Sequence, residues 1–82
     1  MNIGKRIYFE KAKGTVLVDI GERSGDVVVT TEEQDRINFP ILELFTGEYD
    51  SIQLQYGELG ESFSICKAYK INPSTKEIEF LF

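Results

Sequence analysis

Apolar and polar positions alternate with period two near both ends of this chain, and a helical period runs through its middle. Lys5 to Glu10 places Ile7 and Phe9 on one side and Arg6, Tyr8 and Glu10 on the other. Lys11-Ala12-Lys13-Gly14 supplies a turn, with Gly14 suited to positive φ. Thr15 to Ile20 alternates again and sets Val16, Val18 and Ile20 on one face. β-Branched residues dominate this stretch, as a half-buried pleated surface prefers. The pattern predicts a hairpin whose core face carries Ile7, Phe9, Val16, Val18 and Ile20.

Gly21-Glu22-Arg23-Ser24-Gly25-Asp26 reads as a polar turn bounded by glycines. It is not a phosphate-binding loop, because Asp26 stands where that motif needs lysine. Asp26 to Val29 follows as a short third strand or an extended connection. Thr30-Thr31-Glu32-Glu33-Gln34 then signals a helix start, with Thr30 and Glu33 or Thr31 and Gln34 as a capping box. The glutamates complement the positive end of the helix dipole. Ile37, Ile41, Leu44 and Phe45 recur at i, i+4, i+7 and i+8, which predicts one apolar helical face. Pro40 interrupts that helix by removing a donor and clashing with the preceding turn. A break is preferred to a kink, with a first helix stopping near Asn38 and a second starting with Pro40 in its first turn, because Phe39 before proline favours extended geometry.

Ser51 to Tyr56 alternates strictly, with Ile52, Leu54 and Tyr56 against Ser51, Gln53 and Gln55. This is a strand with one polar face. Glu61 to Ala68 fits a short helical turn or an irregular strand, and the helical turn is preferred. A second hairpin follows, with Tyr69, Ile71, Ile78 and Phe80 on one face around Asn72-Pro73-Ser74-Thr75-Lys76. The whole predicts one α+β domain over residues 1–82: a small, mostly antiparallel sheet of two hairpins and a central strand, packed against one broken helix.

Composition narrows the chemistry. Fourteen acidic against nine basic residues leave a net charge of −5, and no dense basic cluster offers a nucleic-acid face. The carboxylates are scattered, so mimicry of nucleic acid is not indicated either. The absence of histidine removes His-dependent triads and the usual zinc-enzyme sites. Cys66 has no partner for a disulfide or a cysteine metal site, and it reads as a small half-buried apolar residue. Paired carboxylates such as Glu77 and Glu79 share one strand face, whereas acid–base hydrolysis needs two facing across a cleft roughly 5–10 Å wide. No cofactor or metal is expected, and no enzymatic activity. MNIGKRIYF contains no apolar core of a signal peptide, and no apolar run approaches about 18 residues. A cytoplasmic protein is expected, free of membrane, with later incorporation into a particle left open.

The candidate partner-binding residues are Arg6, Tyr8, Arg23 and Tyr49. If Ile7 and Phe9 face the core, Tyr8 faces outward beside Arg6, and Tyr49 lies in the loop Gly47-Glu48-Tyr49-Asp50. Tyr and Arg offer large amphipathic contact area and are enriched at interaction hot spots. The alternative is a tyrosine that packs its ring at the core edge and wets its hydroxyl. Glu77 to Phe82 either adds an edge strand to a partner sheet or closes the core.

Asn2-Ile3-Gly4-Lys5-Arg6-Ile7-Tyr8-Phe9-Glu10-Lys11 resembles a known pattern, as do Gly21-Glu22-Arg23-Ser24-Gly25-Asp26-Val27-Val28 and Thr30-Thr31-Glu32-Glu33-Gln34-Asp35. Leu54-Gln55-Tyr56-Gly57 and Tyr69-Lys70-Ile71-Asn72-Pro73 continue it. The pattern is that of a family of short proteins encoded in temperate phages and prophages of Gram-positive, bacillus-type bacteria. Their genes lie among late structural genes, near tail, baseplate or fibre genes. Between Arg36 and Asp50 the likeness lapses, since that family carries a continuous polar helix where this chain has Asn38-Phe39-Pro40. The resemblance transfers no catalytic residues and implies a genomic setting. The function it implies is a non-enzymatic accessory protein that binds another late-gene product, as a minor tail or baseplate component or an assembly factor. The alternative is a small acidic regulator of a host protein.

Overall fold

A computed structural model describes residues 1–82. The elements are β1 (Asn2–Ile3), β2 (Arg6–Glu10), β3 (Val16–Ile20), β4 (Arg23–Ser24), α1 (Glu32–Asn38), α2 (Ile41–Leu44), β5 (Tyr49–Gln53), α3 (Gly60–Ile65), β6 (Ala68–Ile71) and β7 (Ile78–Leu81). The α+β class is the expected one. The strands divide among three antiparallel sheets: β1 with β4, β6 with β7, and a central sheet ordered β3-β2-β5.

Strand β2 lies in the middle of the central sheet and is buried on both faces. On one face Ile7 and Phe9 pack with Ile71, flanked by Val16, Ile52, Leu54, Phe63, Tyr69 and Ile78. On the other, Tyr8 packs with Val18, Ile20 and Leu42, flanked by Leu17, Phe39 and Tyr49. The molecule is therefore layered, with the broken helix on one side of the sheet and the second hairpin on the other. Tyr8 is 2% exposed, which corrects the expectation that it faces outward. A strand with a covered second face has no solvent side to offer.

The register between β2 and β3 slips between Tyr8 and Phe9: Tyr8 pairs with Val18, and Phe9 with Val16. Leu17 is the extra residue of this bulge, and an extra residue reverses which face the next side chain joins. Val16 consequently packs with Ile7 and Phe9, whereas Val18 and Ile20 pack with Tyr8. The single face predicted for these three is split in two.

The helix starts and breaks where predicted. Thr31 caps α1 through a capping box with Gln34, and Phe39 and Pro40 separate α1 from α2. Its buried face is the opposite of the one the periodicity picks. Ile37 is 75% and Leu44 77% exposed, with Ile41 also exposed. Asp35, Phe39 and Leu42 point inward instead. These two triads share the same spacing but are offset by two residues, about 200° of helical rotation. Residues 26–29 form the extended connection rather than a strand, with Val28 and Val29 exposed.

Strand β5 begins two residues before the predicted start, because Tyr49 and Asp50 pair with Glu10 and Phe9. It gives way after Gln53, where the Leu54 carbonyl crosses so close to Gly4 that a Cβ there would lie 2.1 Å from it. Helix α3 is the expected helical turn. The second hairpin has the expected inward face, with Tyr69 paired to Phe80 and Ile71 to Ile78. It docks on the first through the Ile71 N–H, which donates to the Gly14 carbonyl at 3.0 Å. Gly14 is obligatory there: its φ is +78°, and a Cβ would fall 1.7 Å from the Ile71 carbonyl oxygen.

Candidate functional site

Arg6 and Tyr8 are two apart on β2, so their side chains leave the sheet on the same face. That face meets α1 at Asp35, whose side chain is 1% exposed. One carboxylate oxygen, Oδ2, accepts from Arg6 Nη1 at 2.8 Å and from the Tyr8 hydroxyl at 2.5 Å. The other, Oδ1, accepts from the Thr30 hydroxyl at 2.6 Å. Arg6 Nη1 also donates to the Thr30 carbonyl at 2.7 Å, and Arg6 Nε to Gln53 Oε1 at 2.9 Å. Asp35 thus ties β2 to the helix start, and Arg6 extends the tie to β5 through Gln53. Asp35 can lie inside the molecule because both of its oxygens meet donors, two on Oδ2 and one on Oδ1.

The electrostatics follow from that geometry. Burial pushes the Asp35 pKa up, but the hydrogen bonds from Thr30, Tyr8 and Arg6 and the Arg6 charge outweigh it, leaving the pKa below the ordinary value. Burial and the bond to Asp35 push the Tyr8 pKa up to about 12. Both groups are moved away from neutrality. Neither shift moves its group towards the near-neutral values that acid–base catalysis uses.

Tyr49 joins the cluster from β5. Its ring meets Tyr8 edge-on at 5.7 Å, and its hydroxyl donates to Glu32 at 3.0 Å. Glu32 in turn pairs with Arg36 one helical turn on, at 3.4 Å. Three of the four candidate residues, Arg6, Tyr8 and Tyr49, are therefore brought together, but Arg6 and Tyr8 serve the interior. Arg23 stands apart on β4 opposite Ile3, and its Nε is buried without a hydrogen-bond partner. Asp35, Thr30 and Gln53 were missed. The available signal was an Arg-x-Tyr pair on a central strand, which requires a buried acceptor wherever both faces are covered.

Outward of this cluster the same helix presents apolar surface. Val28, Thr30, Gln34, Ile37 and Asn38 line an open groove of 240 Å³. Glu33, one helical turn before Ile37, and Glu43 on α2 form no ion pairs. Cys66 is half-buried, with its thiol on the Phe63 carbonyl. No three His, Cys, Asp or Glu side chains converge as a metal site would require. No helix is long and apolar enough to cross a membrane. Comparison with protein-family models, curated proteins and solved structures gives no match.

Proposed function

We propose that this chain is a non-enzymatic accessory protein of a phage or prophage that binds another late-gene product, as a minor tail or baseplate component or an assembly factor. The resemblance of its N-terminal half to that family supplies the setting. The observation that carries the binding reading is the inverted helix: α1 turns its carboxylate Asp35 inward and its Ile37 outward beside Val28. A thin-cored domain leaves such side chains in water at a cost, and contiguous exposed apolar surface marks interaction sites. With Glu33 and Glu43 unpaired and a net charge of −5, the complementary partner surface is apolar with basic neighbours.

The test is a pull-down with tagged protein from lysate of prophage-induced cells, beside uninduced lysate and beside Ile37→Asp as bait. Capture of a tail or baseplate protein only after induction, lost with Ile37→Asp, is the expected result. The same host protein captured from both lysates would overturn it and make the chain a regulator of that host protein.

A further inference from the structure

We propose that β7 is a self-pairing edge and that two copies of this chain associate through it, joining their second hairpins into one four-stranded antiparallel sheet. The open edge follows from the hydrogen-bond pattern. The Asn72 N–H donates to the Glu77 carbonyl at 2.8 Å, and the Lys67 N–H donates to that of Leu81 at 2.7 Å. Bonded pairs alternate along an antiparallel ladder. The main-chain groups of Glu79 and Leu81 therefore face β6, and those of Ile78, Phe80 and Phe82 face away from it.

Two neighbouring edges, those of β5 and β6, are guarded. Along β5 the Ser51 N–H is taken by the Asp50 carboxylate at 2.8 Å, which also pairs with Lys76 at 2.8 Å. A charge so placed blunts an edge. The edge of β6 is met by Gly14 through the Ile71 N–H. Strand β7 has neither guard, and Leu81 and Phe82 are 62% and 60% exposed.

The occupant is a second copy because the strand is complementary to itself. Antiparallel pairing about Phe80 sets Phe80 against Phe80 of the partner, and Ile78 against Phe82 of the partner. These residues share the inward face, where Phe80 already stacks on Phe82 at 5.8 Å and meets Phe63 edge-on at 5.0 Å. On the outer face Glu79 falls opposite Leu81 of the partner, so the two Glu79 carboxylates do not face each other. Glu79 also has its own counter-ion, Lys70, at 3.7 Å. Beside Ile78 lies an open groove of 450 Å³ whose apolar walls are Ile52, Leu54, Leu59 and Ile78. In this register the partner's Phe82 enters that groove, and each copy fills the other's. Such an isologous contact closes at two copies. It also relieves the second hairpin of being a two-stranded sheet.

The test is sedimentation equilibrium of the full chain over a range of concentrations and salt. The expected species is twice the 9.4 kDa chain mass, strengthening with salt as the repulsion between two acidic copies is screened. Phe82→Asp, at an exposed position, is expected to give monomer with an unchanged circular dichroism spectrum, whereas Ile37→Asp leaves the dimer intact. A cross-link fixes the register: with Cys66→Ser, the pair Glu79→Cys and Leu81→Cys should oxidise to a covalent dimer, since opposed non-bonded pairs have disulfide spacing. Monomer at every concentration, or a dimer that Phe82→Asp leaves intact, overturns the proposal.

Discussion

Replacing Asp35 with alanine removes the acceptor of three donors at once: Arg6 Nη1, the Tyr8 hydroxyl and the Thr30 hydroxyl. Breaking a buried ion pair by deleting one partner costs about 3–5 kcal/mol. Arg6 keeps its bonds to the Thr30 carbonyl and Gln53, which places its share at the low end. The Tyr8 hydroxyl, left buried and unpaired, adds about 1 kcal/mol or more. The expected loss is about 4 kcal/mol, against a total of about 4–12 kcal/mol for a domain of 82 residues. Urea unfolding followed by circular dichroism reads it directly. With a slope of about 1 kcal/mol per M, the midpoint falls by about 4 M or the variant is unfolded in water. A cycle of Asp35→Asn, Tyr8→Phe and the double variant isolates the pair, with an expected coupling of about 1 kcal/mol or more. The pH dependence has a fixed sign. The folded-state Asp35 pKa is lowered, so its stabilisation is present above about pH 4 and is lost as pH falls through the folded value. Asp35→Asn should flatten that acid limb. A loss under about 1 kcal/mol for Asp35→Ala, with no coupling to Tyr8, would refute the reasoning.

Tyr8 acts at the other end of the pH scale. Its folded pKa, raised to about 12, gives stabilisation that is complete below about pH 10 and lost as pH rises towards 12, and Tyr8→Phe should shrink that alkaline loss. Gly14→Ala should unfold the protein or lower its melting temperature sharply, because the new Cβ meets the Ile71 carbonyl. Gly25→Ala, also at positive φ but with open space around it, should cost only about 1 kcal/mol by the same melt. Thr31→Ala removes the acceptor of the Gln34 N–H and should cost about 1 kcal/mol in urea unfolding.

Local chemistry was legible in this sequence wherever it acts on nearest neighbours. Gly14 at the first turn, the break at Pro40 and the Asn72 turn each depend on one or two residues and form as read, and of the two capping boxes open in the sequence the Thr31–Gln34 one forms. Facing was not legible where it depends on distant chain. Alternation assigns a strand one wet side, but β2 is covered twice, once by α2 and once by a hairpin some sixty residues on. The bulge at Leu17 leaves no mark in a run of β-branched residues, yet it sends Val16 and Val18 to opposite faces. The helix misleads for a related reason. An apolar period at Ile37, Ile41 and Leu44 outranks Asp35 until Arg6 and Tyr8 are known to lie beneath it.

That inverted helix is tested most directly by the thermal unfolding of two matched variants, Ile37→Asp and Leu42→Asp, beside the parent chain. Ile37 is exposed, so its variant should unfold within about 0.5 kcal/mol of the parent. Leu42 is 2% exposed among Tyr8, Val18 and Ile20, so its variant should show no cooperative transition. The opposite pair of results, a destroyed Ile37→Asp and a tolerated Leu42→Asp, would mean that the apolar face lies inward after all and that the buried Asp35 cluster does not exist.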